Sequence, residues 1–357
     1  MPWAEIDTPA LLLDLDRVER NIAKMATFFA GQRANLRPHF KTPKCPQVAK
    51  LQLEAGAIGI TCAKIGEAEE IAKAGLDASV LIANQIVGTL KLARLVELAG
   101  RLPELIVAVD SAEQVAALDD AIAQSGARIG ALVEADTGMH RCGTDSPGET
   151  VELARALDRS RVEYRGLMGY EGHAVLIPDA DKRTALAGKA VETLQAHRRA
   201  LVDEGLEPGI VSAGGTGTHD ISGVAAGITE IQAGSYVFMD GAYARVRGEF
   251  EPALTVLATV LRRRGQLLIT DCGVKALSRD FGMPRGADLP LACVGLSEEH
   301  GHVQIDEGET LDLAPGDKLR LLPSHGDTTL NLHETYHVMR GDRLETTWPI
   351  SARGKFH

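Results

Sequence analysis

The feature that most constrains this chain is an alternation of two patterns. Short β-rich runs fall at about residues 34–40, 58–62, 79–83, 104–109, 128–135, 162–170, 209–213 and 228–238, and helical patterns such as 66–74, 87–99, 111–125, 146–160 and 181–204 separate them. Strands that alternate with helices argue for a parallel sheet, and eight such units over roughly 230 residues match a closed (β/α)8 barrel. An open doubly wound sheet is the alternative, but no G-x-G-x-x-G follows the first strand. A short strand at 10–15 precedes the alternation and leads into a helix running to Gly31, for which Asp16 is the expected cap and Glu19 the second half of a capping box. From about Phe250 the helical pattern stops, and β-like runs alternate with turn signals at Arg264-Gly265, Ala314-Pro315-Gly316-Asp317 and Arg340-Gly341-Asp342. The expected organisation is an α/β barrel over residues 16–245, followed by a β-rich domain of residues 246–357 that residues 1–15 join.

Composition narrows the partners. Of the 357 residues 45% are apolar, enough for a large core. The balance of 38 basic and 49 acidic residues gives a net charge of −11, which repels polyphosphate, so neither nucleic acid nor an anionic membrane is an expected partner. The three arginines Arg262, Arg263 and Arg264 precede Gly265 between two apolar runs and read as a solvated hairpin turn. Five cysteines, Cys45, Cys62, Cys142, Cys272 and Cys293, are odd in number and lack C-x-x-C spacing, which points away from a disulfide framework or zinc finger and towards a reducing compartment. The opening MPWAEIDTPA has no basic stretch leading into an apolar one, and no run approaches the roughly 20 apolar residues that span a bilayer, so a cytoplasmic location is expected.

If the strands close into a barrel, the residues just past each strand share one mouth. The first exit carries RPHFKTPKCP, residues 37–46, with Lys41 at the strand's end before a helix that Pro43 is placed to open. Arg37, His39 and Lys44 flank it, and neighbouring cations lower an amine's pKa and suit it to attack a carbonyl. Asp136 with Arg141, and Tyr170, Glu171 and His173, fall at later exits. Strand seven ends in SAGGTGTHD, residues 212–220, where Gly214, Gly215 and Thr216 can close backbone N–H groups around an anion. The next exit, QAGSY, adds Gly234, Ser235 and Tyr236, and barrels commonly hold phosphate in these last two loops. An amine at one exit and a phosphate cup opposite meet the needs of pyridoxal phosphate, with His39, Arg141 and Tyr170 facing the cofactor.

Two motifs lie in the β-rich part. In PSHGDTT, residues 323–329, His325 and Asp327 project to one side if the segment is extended, and an imidazole plus a carboxylate supplies two ligands of a divalent site. HETYH, residues 333–337, matches H-E-x-x-H literally. Its flanks alternate apolar and polar, which favours a strand, and there residues four apart sit roughly 13 Å from each other, too far for one metal.

Six motifs in order, RPHFKTPKCP, DTGMHRCG (136–143), AGGTGT (213–218), TEIQAGSYVFMD (229–240), SEEHG (297–301) and PSHGDTTLN (323–331), resemble the D-threonine aldolase and D-serine dehydratase family over nearly the whole chain. The resemblance implies the alanine-racemase fold, a pyridoxal-phosphate barrel followed by a β-domain, and a homodimer. It makes Lys41 the Schiff-base lysine, places Arg141 near the cofactor's phenolic oxygen and Tyr170 against the ring, and gives Gly215, Thr216, Gly234 and Ser235 to the phosphate. His325 and Asp327 match the family's metal pair. The dehydratase branch carries cysteine at the place of Asp327 and uses zinc, whereas the aldolases carry aspartate, so manganese or magnesium is expected here, with zinc as the alternative. One departure stands out in GYEGHAVLIPD, residues 169–179, where D-threonine aldolases have Tyr-His-Gly and a further histidine. Glu171 replaces the first histidine and Leu176 stands near the second, so the base is open among His173, Glu171 and His300. The reaction expected is cleavage of a D-β-hydroxy-α-amino acid to glycine and an aldehyde. The alternatives are dehydration of D-serine or 3-hydroxy-D-aspartate, racemisation, or a noncatalytic cofactor carrier.

Overall fold

The computed structural model describes Trp3 and residues 5–357; Met1, Pro2 and Ala4, part of the segment 1–15 expected to join the β-domain, lie outside the described residues. The chain divides into two compact units, Met25–Gly234 with Lys355–His357, and Met1–Lys24 with Ser235–Gly354.

The first elements are β1 (Ala10–Asp14) and α1 (Leu15–Ala30). Asp14, rather than Asp16, caps this helix, its Oδ1 accepting the Arg17 N–H at 3.0 Å. Asp16 and Glu19 are taken instead by Arg340, whose guanidinium donates to Asp16 Oδ1 at 2.8 Å and to Glu19 Oε1 at 2.9 Å. A guanidinium fork offers both carboxylates more than one backbone N–H could.

The barrel unit then alternates as expected: β2 (Asn35–Leu36), α2 (Pro46–Glu54), β3 (Ile60–Cys62), α3 (Ile65–Lys73), β4 (Ser79–Gln85), α4 (Thr89–Ala99), β5 (Glu104–Val109), α5 (Ala112–Ser125), β6 (Gly130–Glu134), α6 (Pro147–Asp158), β7 (Glu163–Met168), α7 (Ala180–Asp203), β8 (Ile210–Ala213), α8 (His219–Ser222) and β9 (Glu230–Ile231). Ser111, Ser146 and Asp179 cap α5, α6 and α7, each accepting the N–H three residues on. The eight parallel strands run in the order β2-β9-β8-β7-β6-β5-β4-β3. A parallel bridge between His39 and Thr61, with the Phe40 N–H donating to Thr61 O at 2.7 Å, joins the two ends, so the sheet closes and the doubly wound alternative falls away. Leu81, Ile106, Ala108, Leu132 and Met168, from four consecutive strands, pack as one buried cluster. At the β2–β9 seam Arg37 Nε donates to both carboxylate oxygens of Glu230 at 3.0 Å, and both side chains are buried. Pro43 does not open α2. Lys44 is left-handed (φ 46°), which interrupts the turn, and the helix begins at Pro46.

The second unit contains β10 (Leu254–Arg264), β11 (Leu267–Thr270), β12 (Arg285–Gly286), β13 (Leu291–Leu296), β14 (Gly301–Ile305), β15 (Lys318–Leu322), the one-turn helix α9 (Gly326–Leu330), β16 (Thr335–Arg340) and β17 (Arg343–Pro349). Six of these strands, in the order β11-β14-β13-β12-β15-β10, close into an antiparallel barrel because β10 also pairs with β11. β1 lies between β10 and β16, antiparallel to the first and parallel to the second, and β17 completes the sheet. The three arginines expected in a turn belong to β10 itself, paired with β11 up to Arg264 opposite Leu267, and the turn is made by Gly265 and Gln266. His337 lies in β16 and His333 before it, so HETYH is not a helical metal motif. All five cysteines are free thiols, and among the described residues no helix is long and apolar enough to cross a membrane.

Candidate functional site

Closure of the barrel brings the strand exits together, and Lys41 stands among them half-buried just past the bridge at His39. Its backbone N–H donates to His39 Nδ1 at 3.3 Å, which requires that nitrogen to be unprotonated. Burial holds His39 well below the ordinary histidine range, and the charges of Lys41, Lys44 and Arg141 push the same way, so the imidazole is neutral at neutral pH. Lys44 is itself buried and paired with Glu67 at 2.9 Å. Arg141 is exposed, its guanidinium 6.0 Å from the centre of the Tyr170 ring and 3.8 Å from Glu134. The loop that carries Arg141 is held by Asp136, which accepts the N–H groups of Gly138, Met139 and His140 at 2.9 to 3.1 Å.

Thr42, which no motif singles out, is buried with its hydroxyl unpartnered among the described residues. That hydroxyl lies 2.9 Å from where a Cβ on Gly234 would stand, so Gly234 belongs to the same corner as His39 and Lys41. Two expectations need correction. Gly214 and Gly215 do not aim their N–H groups at an anion: the first donates to Glu171 Oε2 at 3.2 Å and the second to Thr218 Oγ1 at 3.3 Å. Glu171 is no substrate-facing base, because it is only 2% exposed and its oxygens accept from Gly214, Thr218 and Ser222. His173 is exposed, with its Cε1 3.3 Å from the position of a Cβ on Gly138, beside the loop that bears Arg141.

In the second unit Ser235 is half-buried at the start of a 3-10 turn, while Tyr236 is fully buried with its ring 5.8 Å from that of Phe250. His300 is exposed in the turn between β13 and β14, and among the described residues of its own unit nothing orients its imidazole as a base. The segment is not extended throughout, as only His325 keeps extended backbone. His325 precedes α9 in the capping position and Asp327 lies in its first turn, because the Gly326 N–H is drawn to Asp240 Oδ2 at 2.8 Å. Asp280 Oδ2 sits 2.7 Å from His325 Nδ1, and the Phe281 ring stacks on the imidazole at 4.0 Å. Burial opposes ionisation of Asp280, but bonds from His325 and Ser278 hold its carboxyl below the usual range. Asp240 is buried deeply enough to be pushed up to about 6, against N–H bonds from Tyr243 and Gly326, and it senses the charges of both His325 and Asp327. Neither Asp240 nor Asp280 carries a recognisable spacing to the pair, which is why sequence reasoning missed them.

Comparison with known proteins settles the family. Residues 13–241 match the alanine racemase N-terminal domain and residues 253–339 a serine dehydratase domain. A D-threonine aldolase from an Arthrobacter species is 37% identical over 99% of this chain and 94% of its own length. The chain belongs to the D-threonine aldolase and D-serine dehydratase family. A 3-hydroxy-D-aspartate aldolase from Paracoccus denitrificans is 36% identical with the same coverage. The crystal structure of a D-threonine aldolase from Filomicrobium marinum superposes with a TM-score of 0.94 at 37% identity, covering 99% of this chain and 98% of that one. Membership makes this chain a lyase with the alanine-racemase fold.

The residues present fit the groups this family implies. An amine at the barrel mouth, a neutral imidazole beside it, an orphaned buried hydroxyl at Thr42 and a side-chain-free position at Gly234 make a polar corner suited to pyridoxal phosphate. For a metal, Asp280 engages His325 Nδ1 and so orients Nε2 outward, in the manner of carboxylates that support metal-binding histidines. Among the described residues no group of three or more His, Cys, Asp or Glu could hold a metal ion, so His325 and Asp327 stand as two candidate ligands only.

Proposed function

We propose that this chain cleaves a D-β-hydroxy-α-amino acid of the D-threonine type to glycine and an aldehyde, using pyridoxal phosphate and a divalent metal. The observation that supports this most is the pairing of Lys41 with a neutral His39 at the closed barrel's mouth. Lys41 Nζ would hold the cofactor, with Arg141 at its phenolic oxygen, Tyr170 against its ring, and Thr216 and Gly234 towards its phosphate. Bound there, pyridoxal phosphate supplies an electron sink for the Cα–Cβ bond. His325 and Asp327 would hold the metal, whose chemistry is to polarise the substrate's β-oxygen. Aspartate at 327 favours manganese or magnesium over zinc. In this reading His173, whose imidazole is exposed, would take the β-hydroxyl proton.

The test is product analysis. Protein reconstituted with pyridoxal phosphate and Mn2+ is given D-threonine and 3-hydroxy-D-aspartate, and glycine, aldehyde, 2-oxo acid and ammonia are measured. Aldehyde and glycine without ammonia are expected, with loss of turnover on chelation; ammonia with a 2-oxo acid would make it a dehydratase instead. Borohydride reduction and peptide mapping are expected to mark Lys41.

A further inference from the structure

We infer that Glu171 is a positioning residue for the cofactor's phosphate, fixing the turn from Gly214 to Ser222 against the loop that carries Tyr170. The inference rests on the pyridoxal-phosphate reading above. Glu171 is buried at 2% exposure, yet it makes no ion pair among the described residues. Three neutral donors hold it: the Gly214 N–H at 3.2 Å on Oε2, and the hydroxyls of Thr218, at 2.7 Å, and Ser222 on Oε1. Thr218 accepts the Gly215 N–H in turn. One carboxylate therefore gathers two consecutive glycine N–H groups, one directly and one through Thr218, and the last residue of α8 as well. Only an acceptor without protons of its own can take all three donors without rearrangement.

The other side of the clamp is the loop after β7. Glu171 follows Tyr170, whose ring lies 3.3 Å from the position a Cβ on Gly215 would occupy. A Cβ on Gly217 would stand 1.8 Å from the carbonyl oxygen of Val175, so the loop and the turn are in backbone contact with no space for a side chain. Glu171 thus sets the register between the residue expected against the cofactor's ring and the turn expected at its phosphate. This also explains a carboxylate at the position where the aldolase pattern has histidine: it has been turned inward to hold the turn, and the proton-transfer role lies elsewhere.

Apo protein is titrated with pyridoxal phosphate and, separately, with pyridoxal, which lacks the phosphate; binding is followed by absorbance and by borohydride trapping at Lys41. Glu171→Ala is expected to weaken pyridoxal phosphate by about tenfold, or roughly 1.4 kcal/mol, and pyridoxal by less than about threefold. Glu171→Gln, in which the two hydroxyls can reverse their protons, is expected to stay within about threefold of wild type for both. Thermal unfolding of the apo variants checks folding, and Thr218→Val reads the same ratio if Glu171→Ala does not fold. The inference is overturned if the ratio of the two affinities stays within about twofold of wild type in Glu171→Ala and Thr218→Val. It is also overturned if Glu171→Gln binds both normally but loses turnover at saturating cofactor, which would make Glu171 the base. Failure of the wild-type protein to take pyridoxal phosphate on Lys41 would instead remove the underlying functional reading.

Discussion

At the scale of single residues, buried charges carry the largest penalties and give the sharpest tests. Arg37 and Glu230 are 3% and 2% exposed and join the first and last barrel strands. Arg37 Nη1 also donates to Ser79 Oγ at 2.9 Å, so the guanidinium is satisfied on two sides. Arg37→Met leaves Glu230 buried without its cation and is expected to cost about 3–5 kcal/mol in urea unfolding. Arg37→Met with Glu230→Leu is expected to recover most of that loss, since a well-packed apolar pair needs no neutralisation. Equal destabilisation in the single and double variants would show that the pair is not what holds the seam. The same scale shows what was legible in advance. Lys41 and Tyr170 could be singled out because they stand at the end of a β-run, and Arg141 because it lies in the loop that follows one. Thr42 and Asp240 could not, because their significance lies in a missing partner and in a contact 86 residues away, at Gly326.

At the scale of elements, hydrophobic period placed the eight barrel strands and most helices, while polar competition decided the ends. Asp16 and Glu19 form a capping pattern on paper, but Arg340, more than 320 residues later, outbids the helix terminus for both, and Asp14 caps instead. Likewise Asp327 is expected to continue the extended backbone of His325, but the chain turns helical at Gly326, whose N–H donates to the Asp240 carboxylate. The packing of α6 on α7 hides a pH effect of the same kind. His197 of α7 is buried, its Nδ1 2.6 Å from Thr150 Oγ1 of α6, and burial lowers its pKa, partly opposed by the charge of Glu149. Below about pH 6.5 the unfolded chain takes up a proton on this residue that the native state resists, so stability is lost as pH falls. Relative to His197→Gln, which cannot titrate, the wild type is expected to lose up to about 1.4 kcal/mol per pH unit in that range. Urea midpoints of both proteins at pH 8 and pH 5.5 measure it. A constant difference between them would mean that His197 titrates alike in the native and unfolded states.

At the scale of the whole molecule, the order of the chain and the order of the sheets part company. Residues 10–14 are the first regular element, yet they form an interior strand of the unit built mainly from the last hundred residues, with Leu11 opposite Val256 on one side and Tyr336 on the other. The sequence could suggest that this strand joins the β-domain, because its apolar run stands apart from the βα repeat. It could not supply the register, since pairing across more than 240 residues leaves no local trace. Leu11, Leu12 and Leu13 are all nearly inaccessible, and the strand's backbone is needed by β10 and by β16. A proline in an interior strand removes a ladder N–H and crowds the neighbouring strand, so such positions exclude it. Leu12→Pro is therefore expected to abolish the soluble, cooperatively unfolding protein, whereas Leu12→Val, which keeps the N–H and loses one buried methylene, is expected to cost only about 1 kcal/mol. Soluble yield and the thermal unfolding curve of the two variants decide the matter: if Leu12→Pro is recovered soluble with the wild-type transition, β1 is an accessory strand, and the β-unit closes without the start of the chain.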